Sequence, residues 1–222
     1  MEAFLSGLGV ALITPFTKEK KVDFKALENL FVYITEKKKI DYIVLLGSTS
    51  EFPTLREGEK KQIIDHILSL NTSAKIPLVL AIGGNSTERV LEKLDQTDLS
   101  HFQAILSTVP HYNKPSQEGL YSHFEKITTH TSAKLIIYNI PSRTGVNLLP
   151  LTLINLASNY KNIIGVKESS GDINQIYEVI ELKKKKKLKE FNVISGDDHL
   201  ALPSILAGAS GVISVMAQAI PD

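Results

Sequence analysis

The sequence predicts an α/β protein of (β/α)8 TIM-barrel architecture, and three observations carry that expectation. Eight short, β-branched apolar runs recur along its 222 residues. The runs are continuously apolar rather than alternating, as parallel strands covered on both faces require. Segments of helical period lie between them, and strands alternating with helices build a parallel sheet. The pattern also admits an open doubly wound sheet, but eight strands suit the closed barrel better.

The first run, GVALITPF (9–16), leads into DFKALENLFVYITEKK. There Phe24, Leu27, Leu30, Phe31 and Ile34 share one helical face, with Asp23 placed as the N-cap. YIVLLGST (42–49) is followed by the helical REGEKKQIIDHILSL, and then come PLVLAIGG (77–84) and FQAILSTVP (102–110). QEGLYSHFEKITTHT reads as the next helix, ahead of KLIIYNIP (134–141) and NIIGVKES (162–169). Asp172 caps DINQIYEVIELKKKK, in which Ile173, Ile176, Tyr177 and Ile180 are in register. FNVISGDD (191–198) and GVISVMA (211–217) complete the set. Only QAIPD follows, so residues 1–222 read as a single barrel domain, truncated after the eighth strand and lacking its closing helix.

Composition removes several classes of function. Basic and acidic side chains number 25 and 24, so no global field draws the chain to nucleic acid. Cysteine is absent, which excludes a disulfide framework and thiolate metal sites. The N-terminus lacks a charged leader region, and no apolar run reaches the roughly 18 residues of a membrane span. A cytoplasmic protein with no membrane partner is expected. LKKKKKLKE (182–190) is the one feature suggesting nucleic-acid or membrane binding. It reads as a solvated helix end, because no aromatic residue or arginine interleaves with its lysines.

Function is written at the strand ends. Polar clusters follow the strands: GSTSE, GGNS, HYN, YNIPSRTG, KESSGD and SGDD. In a barrel these ends meet at one rim, where catalytic groups sit. Lys167 is either a strand-end lysine reaching water or an amine inside the rim, where burial lowers its pKa from about 10.4 and makes it a Schiff-base nucleophile. Tyr138 packs, or relays a proton. GSTSE offers hydroxyls and backbone N–H groups suited to a carboxylate. Arg143, one of three arginines, is free to clamp another carboxylate. His101, His111, His123, His130 and GDDH (196–199) contain possible metal ligands but no tight ligand spacing, and His123 and His130 read as surface residues.

Taken in order, ALITPF, GSTSEFPTL, TVPHYNKPSQEGLYSHF, IYNIPSRTG, NIIGVKESSGD, SGDD and GVISV resemble the dihydrodipicolinate synthase family. That family lies within the wider N-acetylneuraminate lyase superfamily of class I aldolases, and the resemblance spans essentially the whole chain. It implies that Lys167 forms a Schiff base with pyruvate, and that the derived enamine condenses with aspartate semialdehyde to give 4-hydroxy-tetrahydrodipicolinate, in the diaminopimelate route to lysine. The pyruvate carboxylate would rest on the N–H groups of Ser48 and Thr49. Tyr138 would relay protons through the Ser48 hydroxyl to Tyr112 of a neighbouring subunit, so a dimer is needed and a tetramer is typical. Arg143 would bind the semialdehyde carboxylate, and Gly196 and Ile213 would line the pocket through their backbones. No metal or other cofactor is implied. Sialic acid lyases generally lack the arginine, so PSRTG favours the synthase over a lyase or another pyruvate-dependent aldolase. A truncated barrel that has lost catalysis and serves as an interaction protein is the reading of a different class.

The sequence departs from the family pattern at the turn, which usually reads GTTGE. Ser48 keeps a hydroxyl, whereas Ser50 replaces a glycine and is costly if that position needs φ > 0. In the region where inhibited members bind lysine, Arg89 replaces a glutamate, His111 a tyrosine, and Phe52 and Pro53 small residues. Arginine repels an ammonium group, so weak or absent inhibition by lysine is expected.

Overall fold

The computed structural model describes residues 3–36 and 40–221 and closes eight parallel strands into a barrel in chain order. The strands are β1 (Gly7–Ala11), β2 (Tyr42–Leu45), β3 (Leu78–Ala81), β4 (Ala104–Thr108), β5 (Leu135–Asn139), β6 (Ile163–Glu168), β7 (Asn192–Ser195) and β8 (Gly211–Ser214). The helices are α1 (Phe24–Glu36), α2 (Glu57–Ala74), α3 (Thr87–Asp95), α4 (Gln117–His130), α5 (Pro141–Thr144), α6 (Pro150–Asn159), α7 (Ile173–Lys185) and α8 (Ala201–Ala207). Closure is direct, since β1 pairs with β8 through Gly7↔Gly211 to Val10↔Ser214.

Two apolar layers follow from the alternation of side chains along each strand. Tyr42, Val44, Val79, Leu106, Ile136, Ile194 and Ile213 fill the barrel. Val10, Ile43, Leu80, Ile105, Ile137 and Val193 face the helices, where Leu27, Phe31 and Ile34 of α1 are buried as their spacing predicts. Burying each such side chain stabilises the fold by roughly 1.5–3 kcal/mol. At the bottom of the barrel Phe4 meets Tyr42 edge-on at 5.7 Å. A Cβ on Gly9 would come within 2.3 Å of the Tyr42 ring, so that position has room only for glycine.

The eight predicted strands are present, with shorter limits. The first begins at Gly7 and ends at Ala11 rather than running to Phe16. Pro15 has no N–H to give a ladder, and Phe16 turns into an isolated antiparallel bridge with Val22. The predicted caps form: Asp23 Oδ1 accepts from the Ala26 N–H at 2.9 Å, and Asp172 Oδ1 from that of Asn174 at 2.9 Å. Helices α3, α5, α6 and α8 supplement the four that the periodicity singled out. In α7 the buried face is Gln175, Ile176, Val179 and Ile180, so Tyr177 stands 44% exposed instead of joining it. The lysine run continues α7 to Lys185, where Lys184 pairs with Glu181 at 2.8 Å and Lys184 to Lys187 are exposed.

One irregularity aims the strand that carries Lys167. Leu135 pairs with Ile163 and Ile136 with Gly165, which leaves Ile164 as an extra residue in β6. Such a bulge changes the facing of everything beyond it. Ile164 packs inside the barrel, Val166 packs outside, and Lys167 then turns inward at the strand end.

Candidate active site

Lys167 and Tyr138 are direct partners across β5 and β6, at the C-terminal ends of both strands. Each is only 3% exposed. The Lys167 Nζ sits 4.4 Å from the Tyr138 ring centroid, inside cation–π range. This is the inward amine of the two placements the sequence allowed. On its far side lies Gly196, where a Cβ would come within 2.7 Å of Lys167 Cε and 3.1 Å of Cγ. The Gly196 N–H donates to the Glu168 carbonyl at 2.8 Å, fixing that close approach.

Ser48 opens a 3-10 turn, Ser48–Ser50, directly after β2, and its Oγ lies 3.3 Å from the Tyr138 hydroxyl. That is longer than the usual 2.7–2.8 Å optimum of about that size for a hydroxyl pair, so the link is present but weak. The N–H groups of Ser48 and Thr49 precede the first bonded donor of the turn, the Ser50 N–H, which gives to the Gly47 carbonyl at 3.1 Å. Ser50 costs nothing here. The left-handed residues are its neighbours, Leu46 (φ 55°) and Glu51 (φ 56°), while the Ser50 hydroxyl donates to the Gly47 carbonyl at 2.7 Å.

Ile213 is fully buried on β8 in the inner layer. Arg143 lies exposed on α5, with no carboxylate partner among the described residues. Tyr112 stands apart from the buried cluster. It is 85% exposed at a left-handed φ of 69°, its N–H donates to the Thr144 carbonyl at 3.1 Å, and no hydrogen bond joins it to Ser48 within the chain.

Behind the site lies a polar network that sequence reasoning did not assign. Glu168 follows Lys167 and therefore faces the helix layer, where it is 1% exposed. Its carboxylate accepts from Asn139 Nδ2 at 3.1 Å to both oxygens, from Gln175 Nε2 at 2.9 Å and from the Ser170 N–H at 2.9 Å. Burial pushes its pKa up, and these donors pull it back. Asn139 Nδ2 also donates to Asn147 Oδ1 at 2.7 Å, and Asn147 Nδ2 to Gln175 Oε1 at 2.7 Å. Each strand end is thereby clamped from outside: Asn139 adjoins Tyr138 as Glu168 adjoins Lys167. The signal available in the sequence was the alternation itself, because an acid next to an inward lysine must point at the helices.

His123 corrects an expectation. It is 4% exposed rather than superficial, because α4 turns it toward α3, where Nδ1 meets Thr87 Oγ1 at 2.8 Å. Burial lowers its pKa from 6.5 to about 4. Among the described residues no three His, Asp or Glu side chains converge as a metal site would need, and no helix is long and apolar enough to cross a membrane. A cleft of about 480 Å³ outside the barrel, between α2 and α3, holds none of the rim residues. Its lysines are already paired, Lys60 at 2.6 Å and Lys93 at 3.6 Å with Glu57, and Lys61 at 2.6 Å with Asp65.

Residues 4–222 match the Dihydrodipicolinate synthetase family. A curated relative from Flavobacterium psychrophilum, named 4-hydroxy-tetrahydrodipicolinate synthase, is 47% identical over 100% of this chain and 73% of its own length. Among solved structures, the chloride-inhibited dihydrodipicolinate synthase from Acinetobacter baumannii complexed with pyruvate is 37% identical with a TM-score of 0.88, over 98% of this chain and 72% of that one. A monomeric dihydrodipicolinate synthase variant is 36% identical with a TM-score of 0.91, over 98% and 71%.

Proposed function

The chain belongs to the dihydrodipicolinate synthetase family and is an enzyme of the 4-hydroxy-tetrahydrodipicolinate synthase type; on that premise we propose that it condenses pyruvate with aspartate semialdehyde through a Schiff base on Lys167. The observation that carries this reading is the buried Lys167 Nζ, 4.4 Å from the ring of Tyr138, whose hydroxyl reaches Ser48.

The Lys167 amine adds to the pyruvate ketone, and the resulting carbinolamine loses its hydroxyl as water, with Tyr138 supplying the proton. The iminium then acidifies the adjacent methyl group, and loss of one proton gives the enamine. Its carbon attacks the aldehyde of the second substrate, and cyclisation of the product releases the lysine. The pyruvate carboxylate rests on the Ser48 and Thr49 N–H groups, beside backbone groups of Gly196 and Ile213. Arg143, exposed and without a carboxylate partner among the described residues, takes the semialdehyde carboxylate in bidentate fashion. No metal or organic cofactor is called for, because the iminium itself supplies the electron sink.

Tyr112 completes the relay from a second copy of the chain, a role supported by its 85% exposure and its outward, left-handed backbone. The monomeric relative means that the oligomeric state has to be measured for this chain. Condensation assays with pyruvate and either aspartate semialdehyde or N-acetylmannosamine test the substrate assignment. Turnover of the semialdehyde, lost in Arg143→Ala through a raised KM, is the expected result. Turnover of the amino sugar alone would place the chain with the sialic acid lyases.

A further inference from the structure

Ser169 is the next inward-facing residue after Lys167, and it has no role in the chemistry described above. It is 5% exposed, and its Oγ has no hydrogen-bond partner among the described residues. Its backbone is held firmly: its N–H donates to the Asn139 carbonyl at 2.8 Å, just before the Gly196 N–H ties the same loop to β7. The hydroxyl and the lysine stem converge on one space. The point where a Cβ would stand on Gly196 is 1.9 Å from Ser169 Oγ and 2.7 Å from Lys167 Cε.

Buried hydroxyls almost always have partners, so an unpaired one beside the stem of the buried lysine marks a place where a ligand atom belongs. Other buried polar atoms without partners include Tyr42 Oη at the barrel bottom and His123 Nε2 in the helix layer. Among the described residues Ser169 is the one directly after the lysine strand, on the lysine's own face.

The flank it occupies says which ligand atom it meets. On the reading above Tyr138 and the Ser48 turn account for the pyruvate oxygens, which leaves the acceptor's oxygen for the hydroxyl that faces the lysine stem without a partner. We propose that the Ser169 hydroxyl donates a hydrogen bond to the carbonyl oxygen of the acceptor aldehyde, and so determines reactivity toward the second substrate. In that step the enamine π pair forms the new carbon–carbon bond, and the nitrogen lone pair restores the iminium. The aldehyde π pair moves onto its oxygen, and the alkoxide then takes a proton from water. Ser169 stabilises the charge while it develops, as a donor aimed at a nascent oxyanion does. This inference rests on the Schiff-base reading above.

The test is Ser169→Ala in the full chain, measured by borohydride trapping with pyruvate, by condensation kinetics and by melting. Pyruvate trapping on Lys167 should proceed at the unaltered rate, while kcat/KM for the aldehyde falls about 10²-fold. The melting temperature should hold or rise, because the variant removes a buried hydroxyl that the protein itself leaves unpaired. Ser169→Cys, a weaker donor, should fall between the two. Full condensation activity in Ser169→Ala overturns the proposal, and so does a loss of trapping with unchanged melting, which would move the hydroxyl to the first half-reaction. An unaltered chain that cannot be trapped overturns the parent reading and this one together.

Discussion

Gly196→Ala is the perturbation to which the site should be most sensitive for its size. The added methyl would lie 1.9 Å from Ser169 Oγ, 2.7 Å from Lys167 Cε and 3.1 Å from Lys167 Cγ. Ordinary carbon contacts settle near about 3.5–4.0 Å, so all three neighbours must give way. Ser169 can rotate cheaply, because its hydroxyl forms no hydrogen bond. Lys167 cannot, with β5 and Tyr138 on one side and the methyl on the other. Overpacking of this kind costs roughly 1–3 kcal/mol, and a value near 2 kcal/mol lowers the melting temperature by about 4–8 °C in a chain of this length. A displacement of the amine by about 1 Å slows its chemistry on the order of 10²-fold. The assay pairs thermal melting with the rate of pyruvate-dependent trapping by borohydride. Adding Ser169→Ala removes only the contact that rotation already relieves, so the double variant should recover little of the lost stability and trapping stays slow. Gly196→Ala with unchanged melting and a full trapping rate would refute the packing of Lys167 against Gly196.

Tyr138→Phe should keep its melting temperature within a few degrees, since the one hydrogen bond it loses is long at 3.3 Å, while the trapping rate falls on the order of 10²–10⁴-fold. His123 gives the fold a pH dependence. Its pKa is depressed from 6.5 to about 4, so its contribution is complete above 6.5 and is lost as the unfolded chain takes up the proton between 6.5 and 4. That amounts to roughly 3 kcal/mol, and melting curves at pH 7 and pH 4.5 should converge for His123→Gln and diverge for the unaltered chain. Lysine should inhibit weakly or not at all if, as the family resemblance implies, Arg89 stands where an acidic side chain would hold the inhibitor's ammonium; half-inhibition below millimolar lysine would contradict this.

The barrel was legible because its signal is redundant. Eight separate apolar runs each had to be a covered strand, and misjudging one end by a few residues, as at Pro15, leaves the topology unchanged. That Lys167, Tyr138 and the GSTSE turn meet was legible because strand ends of one barrel converge, whereas Gly196 and the pairing of Ser48 with Tyr138 came from the family resemblance. Less could be read wherever a side chain's fate depends on a partner distant in sequence. His123 sits on a helix whose polar look suggests water, and only Thr87 of α3 makes its burial tolerable. Glu168 is buried because Asn139 and Gln175 arrive with donors, and Ser169 is unpaired because nothing arrives at all. Helix α8 was missed because ALPSILA is too short for a periodicity to emerge.

The most direct test of the account is to incubate the chain with pyruvate and borohydride and to map the covalent product by mass spectrometry. A reduced pyruvyl group on Lys167, absent when pyruvate or borohydride is omitted, is the predicted result. An adduct on another lysine, or none from a sample that melts cooperatively, would contradict it.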